Sequence, residues 1–458
     1  MEGYSFDKEI NVALNELTGT PEIPQGIMTL SEMERFIAEN NNNIFNLPNL
    51  SRKRQIKDPE LTAIDELLDN RIIDKLLRPD KWTPSMRILF PSHLFRAELL
   101  KSLKYPEMSY RKYCDTQINE LSQKMNRAFV CLPLHKKVKI DHSQLSQFRG
   151  SLTFRQMVNI MVYIIHLFLK AGKINNSLSV HSIDSSELPA VCNPTPLATI
   201  EVGDKKVRIY TDLDADCGKR RKKRDKSEYF VGYRIHSLAM INGSNGQSYP
   251  LISILAPANH HDSLFLSQLI ELGKAIGLEM KIIIADEAYG DREDNKAIRK
   301  VHDITVISPP KEKVKLPDDV DGETKAVYMN ALCEIPMSYR GQTDTGNHEF
   351  ICNDEKGECM SSLACDKCRE IPVDAGIFGQ IPEQVRGIKE LRDLRKNMER
   401  SFNLLKHREG LEPVRVKSKH GLMAVATFAT AANLLIEIVG SRKTQIKENC
   451  QQQLKLAA

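Results

Sequence analysis

Alternating and apolar stretches in the middle of the chain predict strands that end in acidic residues. An alternating stretch at residues 178–182 precedes Asp184, and the apolar run at residues 282–285 ends at Asp286. Alternation with a period of two and short apolar runs bounded by polar residues both indicate β-strands. We therefore expect each aspartate at the end of a strand.

Further strands and helices follow in the order expected of a mixed sheet. Segments rich in Val, Ile and Tyr predict strands at residues 201–210, 229–242, 249–255 and 303–308. Helical spacing of apolar residues predicts helices at residues 263–277 and 291–301, the second with Asp291 as its N-cap. Strands followed by alternating strand and helix predict an α/β fold built on a mixed sheet flanked by helices.

A long helix is predicted near the end of this region. Its apolar positions recur at steps of three and four, at Ile388, Leu391, Leu394, Met398, Phe402 and Leu405. On a helix that turns about 100° per residue, Arg395, Glu399 and Lys406 fall within about 40° of one another beside the apolar face. A carboxylate between two cations can hold a metal while the cations bind phosphates. A solvated face with ion pairs would give the same pattern.

Asp184, Asp286 and Glu399 together are candidate metal ligands. Carboxylate oxygens are hard donors, which suit a pair of Mg²⁺ or Mn²⁺ ions held about 3.5–4 Å apart for phosphodiester cleavage. The alternative is that these three, among 60 acidic residues, are surface or capping groups. Three histidines, His236, His260 and His261, are expected to be structural, because such sites prefer carboxylates.

A run of six consecutive cations follows the Asp184 strand. It comprises Lys219, Arg220, Arg221, Lys222, Lys223 and Arg224. Several phosphates neutralised here would give strong, salt-dependent affinity for DNA without sequence preference. The alternative is a solvated loop. The net charge of +5 is modest, so DNA binding would depend on local clusters of this kind.

Four cysteines lie in a segment of different composition, residues 311–385, which interrupts the predicted core. They are Cys352, Cys359, Cys365 and Cys368, in the spacing C-x6-C-x5-C-x2-C. Four thiolates could bind one structural Zn²⁺, although a single CxxC pair is also compatible with four separate reduced thiols. The other cysteines are scattered and no secretory segment precedes them, which favours a reducing cytoplasm.

The chain of 458 residues is long enough for two or three domains. We expect a helical N-terminal domain at residues 1–150, with helical patterns at 59–77 and 86–103. The first part of the core follows at 151–310, the cysteine-rich insertion at 311–385, the second part of the core at 386–440 and a polar tail at 441–458. Residues 421–439 predict a buried core helix. The longest apolar stretch, residues 157–169, is too short to span a bilayer, so membrane insertion is not expected.

Several of these segments resemble the DDE transposases of bacterial insertion sequences. The spacing R-x3-E-x6-K, at Arg395, Glu399 and Lys406, is similar to the end of that family's Y-x2-R-x3-E-x6-K motif, although Arg392 stands at the tyrosine position. The segments SIDSSELPA, YFVGYRIHSLAMI, PANHHDS and IIADEAYGD, with IDHSQLSQFRGSL upstream, follow in the same order as in that family. The resemblance covers roughly residues 85–440.

The resemblance implies an RNase H-like core with Asp184, Asp286 and Glu399 as its catalytic triad. It also implies an enzyme that cleaves double-stranded DNA at the ends of a mobile element and joins the 3′-hydroxyls to target DNA. The N-terminal domain would recognise terminal inverted repeats, although a packing or dimerisation role is the alternative. A homodimer in the DNA complex and association with the nucleoid in the cytoplasm are expected. Two other functions stay open, a DNA-binding relative that has lost activity and a structure-specific nuclease on the same fold.

Overall fold

The computed structural model describes residues 23–41, 50–78, 89–309, 317–353, 365–372, 382, 385 and 387–457. Short gaps fall at residues 137, 173, 179, 204, 222–226, 243–244, 323, 346, 409 and 413–414. The strands in the described residues are β1 Val180–Pro189, β2 Ala198–Val202, β3 Lys205–Ile209, β4 Asp216–Arg221, β5 Ser227–Ile241, β6 Ser248–Pro257, β7 Ile282–Ala285, β8 Thr305–Ile307, β9 Met337–Gln342, β10 His348–Cys352 and β11 Cys368–Ile371.

Helices precede, cover and follow the strands. The α-helices are α1 Leu30–Asn41, α2 Leu50–Lys53, α3 Pro59–Leu67, α4 Asn70–Leu76, α5 Pro91–Lys104, α6 Tyr110–Tyr113, α7 Lys124–Phe129, α8 His142–Ser151, α9 Phe154–Lys170, α10 Leu266–Ala275, α11 Arg292–His302, α12 Ile388–Asp393, α13 Lys396–Asn403 and α14 Lys419–Ala457. Short π-helical segments at Cys114–Ile118 and Leu404–Arg408 follow α6 and α13.

A six-stranded mixed sheet forms the centre of the protein. Its order is β4-β5-β1-β7-β8, with β6 also paired to β5. The first half of the long strand β5 pairs with β4 and the second half with β6, both antiparallel. Strand β1 is antiparallel to β5 and parallel to β7, which is parallel to β8. Helix α10 connects β6 to β7, and α11 connects β7 to β8. This arrangement confirms the RNase H-like α/β core.

Two segments that the sequence patterns predicted as single elements are each divided in the structure. Residues 201–210 were expected to form one strand, but β2 and β3 form a hairpin in which Val202 pairs with Lys205. Gly203, with φ of 60°, supplies the left-handed conformation that a tight hairpin turn needs. The helical pattern at residues 59–77 is divided into α3 and α4 at Asp69, whose side chain accepts a hydrogen bond from the backbone N–H of Arg71 at 2.9 Å.

One apolar core joins the helices before residue 150 to the sheet. Its buried residues extend from Met33 to Val439. Helix α14 lies at the centre of this core, where it packs against α3, α5, α8, α9 and strand β6. Its Phe428 ring contacts Phe95 edge-to-face at 5.7 Å and stacks on Phe148 at 6.0 Å between ring centroids. Among the described residues, Lys419–Gly440 is the one single helix long and apolar enough to cross a membrane, and 94% of its apolar window is buried inside the protein.

The segment expected as an insertion has a small sheet of its own. Strands β11, β10 and β9 pair antiparallel in that order. They enclose a separate apolar cluster of Val320, Val327, Met337, Phe350 and Ile371. This segment therefore has an apolar core besides its cysteines. The domain boundaries at residues 150, 310 and 385 stay predictions.

Candidate active site

Asp184 and Asp286 lie side by side on neighbouring parallel strands. Ile183 of β1 pairs with Ala285 of β7, and the residue that follows each of them is one of the two aspartates. Asp286 follows β7 directly, as expected, and its carboxylate caps a short 3-10 turn by accepting from the N–H of Ala288 at 2.7 Å. Asp184, in contrast, lies in the middle of β1 rather than at its end. The strand continues to Pro189 because β5 is long enough to pair with all of it.

The Asp184 carboxylate is almost completely buried. Arg395 Nη1 donates to its Oδ2 at 3.1 Å, and the backbone N–H of Ser185 donates to its Oδ1 at 2.8 Å. Burial raises the pKa of Asp184 to about 7; Arg395 and the Ser185 N–H oppose this rise, while the charges of Asp286 and Glu399 add to it. Asp286 and Glu399 are thus close enough to Asp184 for their charges to act on it.

Glu399 reaches the site from helix α13, which is anchored to the sheet. The Ser401 hydroxyl donates to the carbonyl of Ser248, at the start of β6, at 2.9 Å. Met398 and Phe402 are buried in a second apolar cluster. Glu399 lies beside this buried face, with 63% of its side chain exposed, and its Oε1 lies 3.8 Å from Arg395 Nη2. Arg395 therefore contacts both Asp184 and Glu399.

The helix predicted around Glu399 is present but irregular, because a turn at Leu394 and Arg395, both with right-handed helical backbone angles, and a π-helical segment interrupt its regular hydrogen bonding. Helix α12 ends at Asp393, α13 begins at Lys396, and the π-helical segment begins at Leu404. The uniform rotation of 100° per residue does not hold across such breaks, so the predicted stripe is divided. Arg395 joins the carboxylates, whereas Lys406 pairs with Glu412 at 3.4 Å and only 12% of the Lys406 side chain is exposed.

The basic run begins as a strand. Lys219, Arg220 and Arg221 belong to β4, where Lys219 pairs with Tyr229 and Arg221 with Ser227 of β5. The solvated-loop alternative therefore fails for this half of the run. The other half, Lys222, Lys223 and Arg224, lies outside the described residues. Strand β4 is the first strand in the sheet order, at the edge beside β5.

A partly buried ion pair near Asp184 was not predicted from the sequence. Arg234, on β5, binds Asp262 at 3.0 Å, and the Ser185 hydroxyl also donates to Asp262 at 3.1 Å. Burial raises the pKa of Asp262, while Arg234 and the Ser185 hydroxyl oppose the rise. The sequence signal is a charged residue within the apolar strand segment YFVGYRIHSLAMI. Its partner lies 28 residues further on, and no local pattern identifies it.

The histidines have structural environments. The His236 ring stacks on Phe265 at 4.0 Å between centroids, and its Nδ1 lies 3.3 Å from the Tyr289 hydroxyl. Burial lowers the pKa of His236 to about 3, so the ring is neutral near pH 7. His261 accepts from the N–H of Ser263. Neither ring contacts a residue predicted as a metal ligand.

Two described cysteines of the insertion, Cys352 and Cys368, lie on adjacent strands of its small sheet. Cys352 is the last residue of β10, and its N–H donates to the carbonyl of Lys367 at 2.8 Å, next to Cys368 on β11. Cys365 precedes that strand. The Cys368 thiol donates to Glu349 Oε1 at 3.4 Å. Cys359 lies outside the described residues, so the four-cysteine site stays a prediction.

The carboxylates suit a divalent cation in composition. Asp184, Asp286 and Glu399 offer oxygen donors, and the buried Asp184 carboxylate pairs with the cation of Arg395. In the arrangement observed, the Arg395 guanidinium contacts two of the three carboxylates. Among the described residues, no group of three or more His, Cys, Asp or Glu side chains is arranged so that it could hold a metal ion. By the chemistry of its oxygen donors, the set fits a hard divalent cation such as Mg²⁺ or Mn²⁺.

The protein has an RNase H-like sheet with two aspartates on adjacent strands. This combination is typical of the class of proteins that process nucleic acids. The family model for the transposase DDE domain matches residues 178–435, more than half of the chain. The chain therefore belongs to the DDE transposase family and is a DNA transposase. As a family, these enzymes cleave DNA, transfer strands and use divalent metal ions.

Two further comparisons give less detail. No curated protein matches the chain significantly. Among solved structures, the cryo-EM structure of the piggyBac transposase synaptic complex with hairpin DNA is similar with 13% sequence identity. That similarity covers 89% of this chain and 77% of that chain, with a TM-score of 0.35.

Proposed function

We propose that this transposase binds the terminal inverted repeats of a mobile element, cleaves a phosphodiester at each end and joins the freed 3′-hydroxyl to target DNA. The observation that carries the proposal is that Asp184 lies near both Asp286 and Glu399, with Arg395 bound to Asp184 and Glu399, within the part of the chain that matches the family. The N-terminal helices would recognise the repeats. A homodimer would hold the two ends, in a cytoplasmic complex on the bacterial chromosome.

Asp184, Asp286 and Glu399 would hold two Mg²⁺ or Mn²⁺ ions. Such ions, when bound, activate water and then the 3′-hydroxyl, and they stabilise the charge that develops on the phosphate. The protein contributes a nearly water-free setting for Asp184, in which interactions between charges are stronger than in water. It also fixes the two aspartates at one level of the sheet.

Arg395 would hold DNA phosphate beside these carboxylates. Its side chain is 27% exposed and its guanidinium already lies between Asp184 and Glu399, so it can turn towards a phosphate without leaving the site. Lys219, Arg220 and Arg221, with the three cations that follow them, would bind the DNA backbone further out. Lys406 would contribute less than the sequence suggested, because it is mostly buried beside Glu412.

The three carboxylates can be tested by substitutions that keep their shape. Asp184→Asn, Asp286→Asn and Glu399→Gln should each lower cleavage and strand transfer by about a thousandfold or more, since each removes one ligand charge. Binding of element ends should stay within a few-fold, because the DNA-binding cations remain. Cleavage assays with Mg²⁺ and gel-shift titrations measure the two quantities. Near-normal cleavage by any of the three variants would contradict the assignment.

We further propose that Cys352, Cys359, Cys365 and Cys368 bind one structural Zn²⁺ in the insertion. The position of Cys352 beside the start of β11 supports this proposal. Purified protein should then contain about one Zn²⁺ per chain, and Cys365→Ser should release it and make the insertion sensitive to protease. Cys333→Ser, in the same insertion but outside the motif, is the matched control. Metal-free protein with a protease-resistant insertion would leave four separate thiols.

A further inference from the structure

A line of hydrogen bonds connects the edge strand β4 to Asp184. Arg234 donates from Nη1 to both oxygens of Asp262, at 3.1 and 3.0 Å, and from Nη2 to the carbonyl of Lys219 at 3.0 Å. Asp262 Oδ2 also accepts from the Ser185 hydroxyl at 3.1 Å. The backbone N–H of the same Ser185 donates to Asp184 Oδ1 at 2.8 Å.

The ion pair at the centre of this line is held firmly in place. The side chains of Arg234 and Asp262 are only 19% and 12% exposed. Asp262 opens the short 3-10 turn before α10, and Phe265, in the same turn, stacks on His236 of β5. Charges shielded from water are tolerated only where hydrogen-bond partners satisfy them. Here those partners are Ser185 on one side and the β4 backbone on the other.

We propose that Arg234 and Asp262 are positioning residues for the transposition reaction, which orient the Asp184 carboxylate through Ser185 and fix the basic strand β4 relative to it through Lys219. Neither side chain contacts the carboxylates expected to hold metal, so their effect is indirect. The proposal rests on the proposed function, because it takes Asp184 as a metal ligand. Groups that orient a metal-binding carboxylate from outside typically change metal affinity or activity by about 10–100-fold when removed.

Two substitutions test the Ser185 connection. Asp262→Ala removes both carboxylate oxygens that accept from Arg234 and Ser185. Ser185→Ala removes only the hydroxyl and leaves the ion pair of Arg234 and Asp262 intact. The second variant therefore remains informative if the first folds poorly. We expect Asp262→Ala to lower both Mn²⁺ affinity and single-turnover cleavage of saturating DNA by about tenfold or more. Ser185→Ala should lower both in the same direction by a smaller factor. Electron paramagnetic resonance of free Mn²⁺ gives the affinity independently of catalysis.

Orientation and general stability can be separated by a matched control and a double-mutant cycle. Arg369 and Asp319 form a similar ion pair, 21% and 20% exposed, in the insertion. Asp319→Ala should therefore lower thermal stability without changing Mn²⁺ affinity. In the double variant, the losses from Asp262→Ala and Ser185→Ala should be less than additive, because both substitutions remove the same hydrogen bond between these two side chains.

Three outcomes would overturn the positioning role. They are additive losses, Mn²⁺ affinity and cleavage within twofold of the unaltered protein in both variants, and, for Ser185→Ala, which leaves the link from Arg234 to β4 intact, a fall in DNA affinity as large as the fall in cleavage. If the unaltered protein itself showed no cleavage and no Mn²⁺ binding that depends on Asp184, the proposed function would fail first, and the positioning role with it.

Discussion

Asp184 is subject to opposing influences within a few ångströms. Burial and two neighbouring carboxylates favour its neutral form, while Arg395 and one backbone N–H favour its charged form, and the resulting pKa is about 7. An ordinary aspartate titrates near 4. The folded protein therefore binds a proton here that the unfolded chain has released between about pH 4 and pH 7, so this group's contribution to stability falls as the pH rises through 7.

This balance predicts a pH dependence of the reaction. Metal binding requires the ionised carboxylate, so cleavage at a fixed Mg²⁺ concentration should decline below about pH 7, where Asp184 takes up its proton. A bound cation favours the charged form, so a higher Mg²⁺ concentration should move the decline to lower pH. Single-turnover rates between pH 5 and 9, at two Mg²⁺ concentrations with DNA saturating, measure both effects. A decline that is independent of Mg²⁺ would assign the titration to another group.

Stability gives an independent check on the same residue. Asp184→Asn cannot titrate, so its melting temperature should depend less on pH between about 4 and 7 than that of the unaltered protein. The variant should compare most favourably with the unaltered protein above pH 7, where the buried charge is fully developed. The opposite trend would show that Arg395 more than compensates for the burial of Asp184.

At the scale of single elements, the cations of strand β4 can be tested for a role in DNA binding. The triple variant Lys219→Ala, Arg220→Ala, Arg221→Ala should flatten the dependence of log affinity on log salt by about 0.9 for each cation that contacts a phosphate. Lys281→Ala is the control, because this exposed lysine precedes β7, at the opposite end of that strand from Asp286. Gel-shift titrations at several salt concentrations give the slopes. Equal slopes for the triple variant and the control would exclude β4 from the interface.

The sequence predicted most elements correctly, and its errors have physical causes. Strands β5, β6 and β7 and helices α10 and α11 follow from period and composition, since their apolar residues enter the core. Asp184 was placed at a strand end because the residues after it are polar, but pairing with β5 continues the strand. Asp262 was missed because its importance depends on Arg234, and only the folded sheet brings the two together.

At the scale of the whole molecule, Phe428 links parts of the chain that are far apart in sequence. Its ring contacts Phe95 and Phe148 from the N-terminal helices, while its own helix, α14, packs against β6 of the catalytic sheet. Phe428→Ala should lower the free energy of unfolding by about 3–5 kcal/mol. Urea unfolding followed by circular dichroism and by loss of DNA cleavage should shift together. Separate transitions would show that the helices and the sheet unfold independently.

This shared core has a consequence for how such enzymes can diversify. The family match begins at residue 178, yet α5, α8 and α9 cover the face of α14 that would otherwise meet water. A fragment that begins at residue 178 would expose this apolar surface, and we expect it to aggregate. Recombination between two transposases at that point would face the same difficulty. Under the proposed role of these helices in recognising element ends, new recognition would therefore have to arise by surface substitutions on them rather than by exchange of modules.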